Sequence, residues 1–499
     1  MRRLAGPLLS ALVVTAVIAT APGPAASAGV ADVVAGADVI TTETQLRAAW
    51  ADPRRTKLEI GANIVLRDCE AGDPIRETAY PVLVEGNDHS IRQTCFEQRL
   101  LRQDSTGYIL LRGLTLSRGG SDGPGAAVTT RGEIRVESSV IRQNLAEEPG
   151  GGIFSMRGAT IVDSVMTGNL ANDDGGAVYA RRGGVRVYDS TLSNNLVDGS
   201  GGAIGSTGDV VVVRSHVDGN TTDGDGGAIY TDEDGDVTVV DSTVDGSDAD
   251  GPGGAIFTLD GDVAIYGSTL IGNRADDRGG AISGEADVLL VNTTLARNFA
   301  SAHVGGAVWS RGDMTLVGST VADNYAEGQG GGVLAAGRLS VVSSTVSSNS
   351  ASSAANLASG HGLVMFGSII GPAGTRGGMV PTTRNCVSGE TTGSTYNVVT
   401  DQSCKLDDPT NVVGVGDLQI DGLELDPDSR MLVPRPGSPV LDVIPEADCH
   451  PVIAAPEAPD FLLSQHVDWR AAASMDGAGR VRPQGTACDV GAAEPGSDR

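Results

Sequence analysis

Carboxylates recur at set places through the middle of this chain. Three residues before each of eight Gly-Gly pairs stand Glu147, Asn172, Asp198, Asp223, Asp250, Asp276, Ala302 and Glu327, so six of these eight positions are acidic. A second row runs Glu133, Gly158, Gly184, Asp209, Asp236, Asp262, Asp287 and Asp313, and Asp232 and Asp234 complete a local Asp-x-Asp-Gly-Asp with Asp236. Carboxylates repeated this closely repel one another unless water or cations screen them. Calcium takes about six to eight oxygen ligands in forgiving geometry. Asp223, Asp225, Asp232, Asp234, Asp236, Asp250 and Asp276 are therefore the candidate calcium ligands. The motif lacks the later bidentate Glu and the flanking helices of an EF-hand. The plainer alternative is that Asp and Gly form turns well and that acidity keeps an exported chain in solution.

Catalytic chemistry is less clearly marked. Arg131, Arg157, Arg181, Arg182 and Arg311 lie near acidic turns, and a lyase site would combine calcium-binding carboxylates with an Arg or Lys base. No spacing singles out one constellation. Gly360-His361-Gly362 invites a hydrolase reading, but inverting hydrolysis needs two carboxyl groups flanking the scissile bond, and the coil upstream offers Ala335, Ala336 and Gly337. None of the other histidines joins a Cys or Ser in a recognisable triad.

The elements that must position these residues follow from a repeat. The glycine pairs are Gly150-Gly151, Gly175-Gly176, Gly201-Gly202, Gly226-Gly227, Gly253-Gly254, Gly279-Gly280, Gly305-Gly306 and Gly330-Gly331, at spacings of 25 to 27. About six residues before each lies Asn144, Asn169, Asn195, Asn220, Asn273, Asn298, Asn324, with Ser247 as substitute. Aliphatic columns alternate at period two, as in Val185/Val187, Val210/Val212 and Val237/Val239, which is the signature of a strand with one buried face. The mixed residues between them predict a solvated outer face. Three strands and three turns per period predict a solenoid, specifically an all-β, single-stranded, right-handed parallel β-helix. Helical repeats would not absorb so much glycine and β-branched residue. The glycines are expected to supply positive φ and close backbone approach, and the asparagines to bond backbone groups of neighbouring coils. Tyr179, Tyr230, Phe257 and Trp309 recur after the glycines as core, groove wall or a narrow sugar platform.

Thr42 and Gln45 form a capping pair for a short helix over Leu46, Ala49 and Trp50. Such a helix would cover the open end of the stack. Residues 1–28 read as a signal peptide: Arg2 and Arg3, an apolar run from Pro7 to Thr20, then Ala26-Ser27-Ala28, too short for a membrane span. Residues 29–107 are expected to form the N-terminal cap and irregular first coils, 108–370 the regular coils, and 371–499 the final coils and a C-terminal cap. The tail from Glu494 carries no lipidation or sorting signal. Six cysteines in an exported chain favour disulfides, and their sequence-local couples suggest Cys69–Cys95, Cys386–Cys404 and Cys449–Cys488 among about 15 pairings. Without Cys-x-x-Cys or clustered histidines, zinc is disfavoured. A net charge of −28, from 63 acidic and 35 basic side chains, disfavours nucleic acid as a partner, because phosphate binding needs a basic face.

Leu270-Ile271-Gly272-Asn273 and Val321-Ala322-Asp323-Asn324, each followed by Gly-Gly-Ala/Gly-aliphatic, resemble the repeats of chlamydial polymorphic membrane proteins, which have Phe where this chain has Leu or Val. Gly437-Ser438-Pro439-Val440-Leu441-Asp442, Gly479-Arg480-Val481-Arg482-Pro483 and Ala487-Cys488-Asp489-Val490-Gly491 resemble the tails of bacterial choice-of-anchor Q β-helix proteins, as do Asn385-Cys386 and Tyr396-Asn397. This resemblance implies a secreted or surface β-helix and carries no defined catalytic residues. The expected protein is thus extracellular or loosely surface-associated and non-enzymatic, acting in adhesion or binding of an extracellular polysaccharide or surface protein, or as an extracellular structural module. The alternative is a pectate lyase-like polysaccharide lyase or glycoside hydrolase.

Overall fold

The computed structural model describes residues 39–301, 304–375 and 384–418, together with 432, 434, 438–445, 448–449, 482 and 487–492. The expected signal peptide lies outside the described residues, as does much of the choice-of-anchor-like tail. Among the described residues no helix is long and apolar enough to cross a membrane.

The chain is a parallel β-helix. Each coil pairs in register with the copies before and after it, for example Val178↔Ile204↔Ile229 and Val185↔Val210↔Val237. Strands that follow the glycine pairs build a 13-stranded parallel sheet, hereafter the glycine-side sheet. A broad sheet takes two strands from each coil, such as Val185–Tyr188 and Thr191–Ser193, separated by a bend at Asp189, just before Ser190. The sequence reading of three strands per coil falls one short. After each ladder asparagine a two-residue strand, such as Leu196–Val197, adds a third, nine-stranded sheet. These strands are too short for period-two alternation to reveal them.

The stack is filled from within. Both aliphatic columns of the broad sheet are buried, from Ile134 and Val136 through Leu339 and Val341, because no single coil can bury its own apolar face. The outer face departs from expectation. It is solvated in the early coils, where Arg135, Thr160 and Arg186 stand, but further along Ala264, Tyr266, Val291, Val317 and Val342 form a separate buried cluster. The cause is compositional: the outward column that carries Arg112 and Glu137 in the early coils carries Tyr266, Val291, Val317 and Val342 further along, beside Ala264 in the neighbouring column.

Glycine acts as expected. The first member of each pair takes φ between +65° and +79°. At the second member close approach decides: a Cβ on Gly280 would come 2.3 Å from the Gly306 carbonyl oxygen and 2.5 Å from the Phe299 nitrogen.

Thr42 and Gln45 close a capping box on the helix Glu43–Ala51, which buries Leu46, Ala49 and Trp50. That helix packs on the first coil, where the buried Arg76 guanidinium donates to the carbonyls of Trp50 and Arg55 at 3.0 and 2.9 Å. At the other end Ile369, Val398, Leu418, Val440, Ile444 and Val490 pack together, beside an antiparallel pair of Ile444–Pro445 with Ala487–Cys488. The disulfides are Cys69–Cys95, Cys386–Cys404 and Cys449–Cys488.

Candidate functional site

Several repeated polar residues are occupied in holding coils together. The Asn column is buried, and wherever an asparagine follows one coil on, the side-chain amide donates to its side-chain oxygen, as in Asn169 to Asn195 and Asn195 to Asn220, both at 3.0 Å. A parallel serine ladder, unmarked in the sequence reading, stands at the bend of the broad sheet, where the Ser164, Ser190 and Ser215 backbone N–H groups donate to Ser190, Ser215 and Ser242 Oγ at 3.0 to 3.1 Å.

The second acidic row has a similar task. Asp209 Oδ1 accepts the Asp236 backbone N–H at 3.2 Å, Asp236 that of Asp262 at 2.9 Å, Asp262 that of Asp287 at 3.0 Å and Asp287 that of Asp313 at 2.7 Å. Each carboxylate thereby closes an orphan N–H one coil on. Burial pushes the Asp236 and Asp287 carboxyls above the usual range. The accepted N–H opposes this, and neighbouring aspartates reinforce it.

The seven candidate calcium ligands fall into different surroundings. Asp236 belongs to this capping row. Asp223 and Asp250 stand exposed just beyond the two-residue strands. Asp276, in the same row, is paired with Arg274 and accepts from Ser301 Oγ at 3.0 Å. Asp234 is exposed at the tip of the turn after Thr231. Among the described residues no three of the seven bring a carboxylate oxygen within 4.8 Å of one another; the one group with that geometry is His216, Asp218 and Asp245, which the sequence reading did not single out. Asp225 and Asp232 remain, and they flank a groove.

The groove runs along the glycine-side sheet. In each three-residue strand the outer positions point into the core and the middle one points out, giving the registered column Phe154, Tyr179, Gly205, Tyr230, Phe257, Ser283, Trp309. Phe154 stacks on Tyr179 and Tyr230 on Phe257, both with centroids 6.0 Å apart. One wall is the residue before each glycine pair: Asp174, Ser200, Asp225, Pro252, Arg278. The other lies two residues past the column: Arg181, Thr207, Asp232, Leu259, Glu285.

Gly205 sets the local arrangement. A Cβ there would meet Tyr179 Cδ2 at 2.7 Å and Asp174 Cβ at 3.2 Å, so its absence lets the Tyr179 ring lie toward Tyr230. Asp174 accepts the Ser200 N–H at 2.7 Å. Burial nonetheless lifts its carboxyl to about 6, helped by the like charges of Asp173, Asp232 and Asp225. Burial, together with Asp174 and Asp232, pushes the Tyr179 phenol up to about 12, and Tyr230 shifts the same way under Asp232, Asp174 and Asp225. The patch therefore gathers three carboxylates and two phenols in one electrostatic neighbourhood. Asp174 escaped the sequence reading because it directly precedes its glycine pair, whereas the acidic row was traced two residues earlier.

Residues 216–232 match the Chlamydia polymorphic membrane protein repeat, a stretch holding Asn220, Gly226-Gly227, Asp225, Tyr230 and Asp232. Comparison with curated proteins yields no match. Comparison with solved structures yields none either. The chain is thus a parallel β-helix repeat protein with one short segment similar to a polymorphic membrane protein repeat.

Proposed function

We propose that the protein is an extracellular, non-enzymatic binding module whose groove on the glycine-side sheet engages a surface protein or extracellular polymer. The observation that carries this reading is the patch itself: aromatic rings in register on the floor, with Asp174, Asp225 and Asp232 facing them and forming no ion pair among the described residues. The asparagine and serine ladders and the second acidic row are committed to inter-coil bonds. Three disulfides agree with an oxidising compartment, and the polymorphic membrane protein repeat match agrees with a surface setting.

A lyase reading draws on one feature, Arg181, whose charge reaches the Tyr179 phenol beside Asp174. The two are separated by incubating the purified protein with polyuronides and neutral glycans, following unsaturated products and new reducing ends, and measuring retention on the same polymers and on envelope fractions. Saturable retention without turnover is expected. Turnover abolished by Asp174→Asn or Arg181→Gln overturns the non-enzymatic reading, and absence of any retention overturns the binding role.

A further inference from the structure

Within the same groove the chain carries its own example of what fits. Two coils beyond the acidic patch, the wall positions are Arg278 and Glu285, with Ser283 on the floor between them. The Arg278 guanidinium spans the groove to the Glu285 carboxylate. On the way its Nε approaches Ser283 Oγ at 3.4 Å, and its central carbon sits 4.0 Å from the Trp309 ring centroid. A planar cation thus lies on an aromatic floor and is held by a carboxylate on the far wall, an arrangement that favours guanidinium over ammonium.

The coil of Tyr230 presents the same three positions without the cation. Asp225 occupies the place of Arg278, Asp232 that of Glu285, and Tyr230 supplies the ring in place of Ser283. Asp174 stands two coils back on the wall of Asp225. Neither Asp225 nor Asp232 has an arginine within ion-pair distance among the described residues, and the charge of Arg278 reaches Asp225 only from beyond that distance. A second, independent feature points into this place. Tyr179 is 9% exposed, its ring lies along Gly205 toward Tyr230, and its phenol has no hydrogen-bond partner among the described residues. The hydroxyl is not among the buried unpartnered atoms, so its oxygen is open to the groove and free to accept from a donor entering it.

The geometry points to the groove at Tyr230 as a receptor site for an arginine side chain of a partner polypeptide, its guanidinium bridging Asp225 and Asp232 over the Tyr230 ring. This inference rests on the binding-module reading above and names the chemistry of the partner. Arginine is the fit because its fork reaches two carboxylates at once and its plane stacks on a ring; lysine offers a point charge that can meet one wall at a time.

The test uses the full chain and three labelled Gly-Ser peptides carrying arginine, lysine or citrulline at the same position, measured by fluorescence polarisation at neutral pH and near-physiological salt. The arginine peptide is expected to bind roughly fivefold or more tighter than the lysine peptide, and citrulline not measurably. Asp225→Asn and Asp232→Asn should each weaken the arginine peptide about fivefold or more, whereas Glu327→Gln, an equal loss of charge on an exposed turn elsewhere, should change it less than about twofold. Equal affinity for the arginine and lysine peptides, or an equal effect of Glu327→Gln, means diffuse attraction to an acidic surface and overturns the inference. The peptide comparison on the unaltered chain stands even if a variant fails to fold. Retention of a polymer that Asp232→Asn leaves intact keeps the binding module and removes guanidinium recognition, so the two failures are distinguishable.

Discussion

Asn324 Oδ1 accepts two hydrogen bonds from Asn298, one from its backbone N–H at 2.8 Å and one from its side-chain amide at 3.0 Å. The Asn298 amide also reaches back to the Leu270 carbonyl at 3.0 Å. One residue thus ties three coils, and all of its polar atoms lie away from water.

Removing such a rung strands several partners. Asn298→Ala leaves the Asn273 backbone N–H, the Asn273 amide and the Leu270 carbonyl without their bonds. At roughly 1–3 kcal/mol for each unsatisfied buried group, the expected loss is about 3 kcal/mol or more. The opposite change is available at Ser247, the one substitute in the column: Ser247→Asn should restore bonds from Asn220 and toward Asn273, stabilising by about 1 kcal/mol. Denaturant melts of the two variants should move in opposite directions. A neutral Asn298→Ala would remove the ladder as a source of stability.

Close approach should make the glycine pairs far less tolerant than loop glycines. Gly280→Ala meets a backbone carbonyl oxygen at 2.3 Å, whereas a Cβ on Gly416 meets nothing within 4 Å. Gly280→Ala is expected to cost about 1–3 kcal/mol or more from overpacking against backbone, and Gly416→Ala to leave the melting temperature unchanged.

Asp174 gives a pH dependence of defined sign. Its folded-state pKa of about 6 exceeds the ordinary 3.8, so the folded chain holds this proton more tightly than the unfolded chain. The associated stability is complete below 3.8 and is lost as pH rises to about 6, by up to about 3 kcal/mol. Asp174→Asn keeps an acceptor for the Ser200 N–H and lacks the titration. The variant should therefore melt at a higher temperature than the natural chain above pH 6, with the gap closing toward pH 4. A pH-independent difference would contradict this assignment.

The Cys69–Cys95 bridge closes a separation of 26 residues beside the capping helix. Loop-entropy bookkeeping places the loss on replacing both by serine at about 3.5 kcal/mol. Limited proteolysis should then attack residues near the first coils before the central repeats, in keeping with nearest-neighbour stability in solenoids.

How much of this could be read in advance depended on whether a residue's role repeats at the coil period. Gly226-Gly227, Asn220 and the Val237/Val239 columns do the same thing in every coil, so their period alone reveals the stack. Leu196–Val197 belongs to a strand of two residues, below the length at which alternation is visible. Ser190 stands just before the strand Thr191–Ser193, where a small polar residue carries no period-two signal, although its hydroxyl is a rung. The groove was hidden for another reason. Asp225, Tyr230 and Asp232 are near in sequence, but their joining with Asp174 and Tyr179 depends on how two turns fold over Gly205, which periodicity does not encode.

Ser247 also has a mechanical meaning. Between Asn195 and Asn220, and again between Asn273 and Asn298, a side-chain oxygen clamps two donors of the preceding coil. Between Asn220 and Ser247 this column spans the step by backbone bonds alone, as from the Asp248 N–H to the Asn220 carbonyl at 3.0 Å, while the Ser215–Ser242 and Asp236–Asp209 bonds still cross it. Under tension along the axis this step would carry one clamp fewer than its neighbours, and it divides the ladder into two blocks of coils, each still internally clamped.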